Sequence, residues 1–263
     1  MDFQFSHVDA LTAIPTLQVP PSLQRLGRLW PSSLGPIIEY AYLRRQREFV
    51  HLPALTNLMN SAMAQAVEHA LHNGTGLQNT TIKAQDFEIA HLPSEIAQNE
   101  MWRAFIRRLV DAGKRASFQD FVAKALGGAF VELANNAIDH SERPNSTCIA
   151  YRCVEGAFEM VIADAGIGIR ASLFPKYPSL IDDQTALENA LTMGITRYPD
   201  GTGHGTGFRT VFDALASLGG TLRFRSGVAA LVLDGTQFRS LTRKLLQRNH
   251  FQGFVATICC RTD

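Results

Sequence analysis

The sequence predicts an α+β fold. Three observations carry that expectation. Apolar residues from Phe118 to Ile138 recur at three- and four-residue spacing as one continuous helical stripe. Two apolar runs, Thr147 to Val154 and Phe158 to Ala163, are joined by Glu155-Gly156 in the manner of a hairpin. Further apolar runs follow the Gly219-Gly220 pair near the C-terminus.

In chain order, Pro15, Pro20, Pro21 and Pro31 break any long regular element over the first thirty or so residues. Leu58, Met59, Ala62, Met63, Ala66, Val67, Ala70 and Leu71 then predict a helix stopped by Asn73-Gly74, its stripe facing a core or a partner subunit. A short strand is expected within 81–90. Trp102, Phe105, Ile106, Leu109 and Val110 mark a helix that stops near Ala112-Gly113. The long stripe gives a helix from about Ser117 to His140, and the hairpin follows it. A helix over Thr210 to Leu218 and strands near 221–225, 229–233 and 254–260 complete the chain. No internal repeat is visible. The expected division is a mainly helical region over 1–94 and a second domain over 95–263.

Composition narrows the function classes. The 263 residues are 46% apolar and 19% charged, ordinary for a soluble globular protein. Net charge is +1, and the basic residues fall in small groups such as Arg44, Arg45 and Arg47, or Arg239, Arg243 and Lys244. These are read as solvated helix faces, so no nucleic-acid partner is expected. Cys148, Cys153, Cys259 and Cys260 lack metal-ligand spacing and sit in apolar runs, which suits buried thiols in a reducing cytoplasm. No apolar run is long enough for a membrane span, and MDFQFSHVDA does not resemble a signal peptide. A cytoplasmic location is the expectation.

Three motifs carry candidate chemistry. In ELANNAIDHS, helical spacing of about 100° per residue puts Glu132, Asn136 and Asp139 on one polar stripe. A carboxamide oxygen there can bind Mg²⁺, and a carboxylate one turn earlier can orient or deprotonate water; alternatively the stripe only faces solvent. VIADAGIGIR ends a strand at Asp164, followed by Gly166 and Gly168. The glycines allow close approach to a flat ligand and the carboxylate accepts from an exocyclic amine, as on a purine; the alternative is a plain turn. DGTGHGTGF places Gly201, Gly203, Gly205 and Gly207 ahead of a predicted helix, an arrangement that cradles anions. It is neither a P-loop nor a dinucleotide-binding fingerprint.

The order and separation of ELANNAIDH, DAGIG and GTGHGTGF, with LGGTLRFRSG and the late strand GFVATICC, resemble the ATP-binding domain of the GHKL superfamily, which includes gyrase, the large heat-shock chaperone, histidine kinases and MutL. The resemblance covers roughly 95–263. It implies a two-layer α/β sandwich, the Bergerat fold, with a mixed sheet and helices on one face, and ATP with Mg²⁺ as ligands. By resemblance Asn136 matches the magnesium-binding Asn and Glu132 the general base of hydrolysing members, with Asp139 on the same stripe. Asp164 matches the adenine-reading Asp, with Gly166 and Gly168 shaping its pocket. Gly203, His204, Gly205, Thr206 and Gly207 fall in the lid that wraps the phosphates, His204 being either a phosphate contact or merely exposed.

The sequence departs from the family at one point. Many relatives open the last strand with Gly-Thr, whereas here Gly253 precedes Phe254, and Thr257 is expected on the opposite sheet face. The stretch between the glycine motifs also looks like that of stand-alone bacterial signalling proteins, with a short helix over Ala186 to Leu191 and Arg170, Lys176 and Arg197 as candidate phosphate contacts or simple surface charges. His51, two residues before Pro53, and His69 are poor phospho-acceptor candidates. No transducer domain is expected after the last strand. What the resemblance implies is a signalling kinase or ATPase acting on a regulatory protein partner, like the anti-sigma-factor serine kinases. The alternatives are a non-catalytic nucleotide-gated switch and a slow ATPase, and a homodimer through the N-terminal helices is left open.

Overall fold

The computed structural model describes residues 3–13, 33–59, 61–73, 86–92, 96, 99–192, 219–237 and 240–262. Its centre is a five-stranded sheet built from β1 (Asp86–His91), β2 (Cys148–Val154), β3 (Ala157–Asp164), β4 (Thr221–Gln237) and β5 (Ser240–Arg261), in the order β1-β2-β3-β5-β4. Every pairing among these strands is antiparallel, where a sheet of mixed direction was expected. The hairpin between β2 and β3 turns through Gly156 at φ +69, a left-handed conformation glycine adopts without a Cβ clash.

Side chains alternate across the sheet, and each face has its own core. On one face Tyr151, Phe158, Met160, Ile162, Phe224, Phe254 and Ala256 pack under α5 (Glu100–Arg115) and α6 (Asp120–Ser141). The stack of Trp102, Phe105 and Phe130 fixes these two helices to each other, with Phe105 and Phe130 ring centres 5.8 Å apart. Helix α5 opens with the Asn99 side chain accepting from Trp102 N–H at 3.1 Å and ends in Lys114 and Arg115, charges that suit a helix C-terminus. It runs past Gly113, which is buried against Ala123 rather than ending the helix.

The other face is covered as well, by the helices of the N-terminal region, while α5 and α6 keep to the first face. Helices α1 (Phe5–Thr12), α2 (Leu34–Arg44), α3 (Leu55–Leu58) and α4 (Ala62–Asn73) pack Val8, Ile37, Ile38, Tyr42, Leu55 and Val67 onto Ala150, Val161, Ala163 and Val255. The single helix expected over 58–71 is two, because Met59 is extended at φ −148, ψ 125 between α3 and α4. Strand β1 lies within residues 1–94 but pairs with β2, and so joins the sheet of the C-terminal part.

Two buried polar clusters fasten this second layer. Glu159 of β3 accepts from Ser33 Oγ, Leu34 N–H and Gly35 N–H at 2.5, 2.7 and 2.8 Å, capping the first turn of α2 from another element. Burial pushes its carboxyl up, against the pull of those donors. Glu159→Ala leaves two buried N–H donors and the part-buried Ser33 hydroxyl without their acceptor and is expected to destabilise the fold by about 1–3 kcal/mol, read as a lowered Tm. The second cluster centres on Glu39 of α2, fully buried, with Arg223 of β4 bidentate at 2.9 Å and Arg225 at 2.5 Å. Asp9 of α1 pairs with Arg223 at 2.8 Å and with Arg248 of β5 at 2.9 Å. Burial raises the Glu39 carboxyl, but the two guanidiniums outweigh it and hold the group below its ordinary value.

Strands β4 and β5 run on beyond the sheet as a long two-stranded arm. The expected strands at 221–225 and 229–233 are one strand, with a register shift at Gly227 (φ +57), where Asp183 Oδ2 accepts from Val228 N–H at 2.8 Å. Arg243 and Lys244 lie on β5, correcting the helix-face expectation; Arg239 lies outside the described residues. Cys148, Cys153 and Cys260 are buried free thiols, while Cys259 is only partly covered. Among the described residues no helix is long and apolar enough to cross a membrane.

Candidate functional site

Helix α6 forms because its apolar stripe meets the sheet and α5, and Asp120 pairs with Lys124 one turn on at 2.6 Å. Its polar stripe is set by the same register: Glu132 is exposed, and Asn136 and Asp139 are half-buried beside it. The helix stops where Glu142 turns left-handed at φ +56.

The end of α6 meets the end of β3. A Cβ on Gly166 would lie 2.2 Å from Ser141 O, so only glycine permits this approach. Ile167 N–H donates to that same carbonyl at 3.0 Å, Ala165 N–H to Ser146 Oγ at 3.1 Å, and Ser172 Oγ lies 3.2 Å from His140 Nδ1. Five helical steps lead from Asn136 to Ser141, about 8 Å along the axis. The α6 stripe and the Asp164 loop therefore belong to one end of the same face.

Asp164 is fully buried at the last position of β3. Its Oδ1 accepts from Gly166 N–H at 2.7 Å, and Oδ2 has no partner among the described residues. Burial pushes the carboxyl up to about 7, opposed by the backbone N–H groups of Gly166 and Phe254. Gly253 sits against it at φ +82, where a Cβ would lie 2.1 Å from Asp164 O. Gly168, at φ +80, opens α7 (Ile169–Leu173), a turn of helix the sequence did not signal, whose Ile169 N–H donates to Ser226 Oγ at 3.0 Å. Behind the loop opens a cavity of about 540 Å³ lined by Gly168, Arg170, Phe174, Asp183, Ser226 and Gly253; it includes neither Asp164 nor the α6 stripe.

The expected short helix ahead of the lid is α8 (Asp183–Thr192), whose Glu188 pairs with Arg243 of the β5 arm. Gly203, His204, Gly205, Thr206 and Gly207 lie outside the described residues, as do Gly201, Arg197 and the helix expected over 210–218. Two of the basic candidates are engaged elsewhere: Arg170 Nε–H donates to Leu180 O at 3.4 Å, and Lys176 stands 5.2 Å over the Tyr177 ring. His51 lies in a turn outside any helix and His69 on the exposed side of α4. Thr257 faces away from Asp164, its side chain against Gly35 of α2, while Phe254 pairs with Asp164 across the strands. Sequence reasoning did not find Ser141, Ser146 and Tyr42, whose hydroxyl donates to Ala163 O at 3.0 Å beside the site. Their role is set by long-range contacts that no local pattern announces.

The polar stripe of α6 and the buried Asp164 carboxyl thus share one face of an α/β sandwich. Residues 122–245 match the family described as histidine kinase-, DNA gyrase B-, and HSP90-like ATPases. Over that segment the chain is similar to GHKL-type ATP-binding domains. The comparisons with curated proteins and with solved structures gave no match.

Proposed function

We propose that the protein binds Mg·ATP between α6 and the Asp164 loop and uses it as a cytoplasmic signalling kinase or ATPase of bacterial type acting on a partner protein. The observation that carries this is the buried Asp164 carboxyl with one oxygen unmatched, held beside the α6 stripe by the Gly166–Ser141 contact. A buried acceptor without a donor is costly, and an exocyclic amine would supply that donor. Among the described residues no three His, Cys, Asp or Glu side chains assemble into a metal cluster. A magnesium ion held by Asn136 would therefore draw its remaining ligands from phosphates and water. When bound, the ion offsets phosphate charge and orients the triphosphate. In this reading Asp139 supports the same stripe, and exposed Glu132 accepts the proton of an attacking hydroxyl or water.

Titration calorimetry with ATP, ADP and GTP, with and without Mg²⁺, tests the reading. Asp164→Ala is expected to weaken ATP binding at least about tenfold, and Asn136→Ala to remove the magnesium dependence. Wild-type protein that binds no adenine nucleotide would sink it.

One observation favours a second reading as a nucleotide-gated switch. Glu39 ties α2 to Arg223 and Arg225 of β4, directly before Ser226 and Gly227 at the loop end of the sheet. In this reading a change at the site reaches the N-terminal layer through that cluster. Glu132→Ala separates the readings: partner regulation that survives loss of turnover favours the switch.

A further inference from the structure

We propose that the protein has a second ligand site, at the end of the sheet opposite the Asp164 loop, which takes a small organic anion: a carboxylate or phosphate group carried on an apolar body. The site is independent of the nucleotide reading. A cavity of about 520 Å³ opens where α1 and α2 begin, within the about 300–1,000 Å³ usual for small-molecule sites. Seven strand steps, about 23 Å, separate Ala157 on its floor from Asp164. The floor consists of two cross-strand rows. In the first, Arg152 of β2 and Cys259 of β5 flank Glu159 of β3. Helix α2 starts over Glu159, so the next row out, Val154, Ala157 and Arg261, extends past the helical layer and is only partly covered. Phe5 of α1 and Pro36 of α2 form apolar walls above it.

The charge of the cavity selects the ligand. Among the described residues, the charged side chains that line it are Arg152, Arg261 and Glu159. The one acid is already committed: Oε1 accepts from Ser33 Oγ and Gly35 N–H and Oε2 from Leu34 N–H, so both oxygens are turned to the first turn of α2. Arg152 is half-buried, and burial disfavours its charge, with Glu159 acting against that. Arg261 is exposed and stands at the rim. Burial pushes the Cys259 thiol up, so it adds no negative charge. Helices α1 and α2 both begin at this opening, after Gln4 and Ser33, and neither carries an acidic residue of its own in the first turn. Each helix start adds partial positive charge to that of the arginines. A guanidinium fork matches a carboxylate or phosphate group. Phe5, Pro36 and Val154 offer hydrocarbon to the rest of the molecule, which is why an organic anion fits better than a bare ion.

The test is a proton–nitrogen NMR titration of the full chain with benzoate and with phenyl phosphate, against benzyl alcohol, benzylamine and inorganic phosphate at the same concentrations. Benzoate or phenyl phosphate should move the amide signals of Ser6, Ser33 and Cys259 saturably, and the tighter of the two names the oxyanion. The neutral and the cationic ring should leave those signals in place. Inorganic phosphate should bind at least about tenfold more weakly than phenyl phosphate, because it buries no ring. Arg152→Gln and Arg261→Gln should each weaken the tighter ligand about tenfold, the loss of a charge-assisted hydrogen bond. Arg261 is exposed, so its variant decides should Arg152→Gln not fold. Saturable shifts with benzyl alcohol, equal affinity for inorganic phosphate, or unchanged affinity in Arg261→Gln each overturn the proposal. So does the absence of shifts at about 10 mM ligand, a concentration that would reveal even millimolar binding. Shifts at Gly166 and Ile167 instead would put the anion at the nucleotide site and overturn it as well.

Discussion

Glu39→Ala is expected to destabilise the protein by about 3–5 kcal/mol, a large share of the about 5–15 kcal/mol that holds a typical domain folded. The carboxylate is fully buried and satisfies two guanidiniums that are themselves 6% and 0% exposed. Without it, Asp9, 3.9 Å from Arg225 and already shared with Arg223 and Arg248, is the remaining counter-charge. Among the described residues, Arg225 would otherwise keep its Asn249 carbonyl partner and the Phe251 ring at 5.6 Å. Urea unfolding should show a lower midpoint with little change in slope. Replacing Glu39, Arg223 and Arg225 together by apolar residues of similar volume should cost much less, because the penalty arises from stranding charge rather than from losing attraction. A single variant that melts like the wild type would show that water reaches the cluster.

The second large effect is expected from Gly166→Ala. The new methyl would meet Ser141 O at 2.2 Å, and a backbone carbonyl at the end of a helix cannot turn aside as a side chain would. The loop must lift from α6, at about 1–3 kcal/mol of stability. ATP affinity is expected to fall more than tenfold, since the stripe and Asp164 no longer share one geometry. Gly128, exposed in the middle of α6, is the internal control. A Cβ there meets nothing within 4 Å, so Gly128→Ala should raise stability by about 1 kcal/mol and leave binding unchanged. Calorimetry and thermal melting of both variants check the pair.

What could be read from the sequence follows the range of the interactions involved. Helix α6, the β2–β3 hairpin and the strand ending at Asp164 announce themselves through spacing within a few residues, and each stands where it was expected. The break at Met59 is hidden because an apolar stripe continues across it. The β5 arm is hidden for the opposite reason: Arg243, Lys244 and Arg248 interrupt its apolar residues, and only pairing with β4 explains why the chain stays extended. Least legible was the second helical layer. Alternation in TLRFRS suggests a strand with one polar side, yet Arg223 and Arg225 point into Glu39 and Asp9 from far earlier in the chain. The expected Thr257 orientation and the Asp164 position hold because strand alternation alone determines them.

The cap on α2 also governs the order in which the molecule can assemble. Leu34 N–H waits for a carboxylate 125 positions further along, and Glu39 for a guanidinium 184 positions away. During synthesis the first helices leave the ribosome long before β3 or β4 exists, so they cannot be completed by their own neighbourhood. Their seating must come after closure of very long loops, a slow step. Docking of this helical layer is thus tied to strands far along the chain, and its apolar surface needs them for cover.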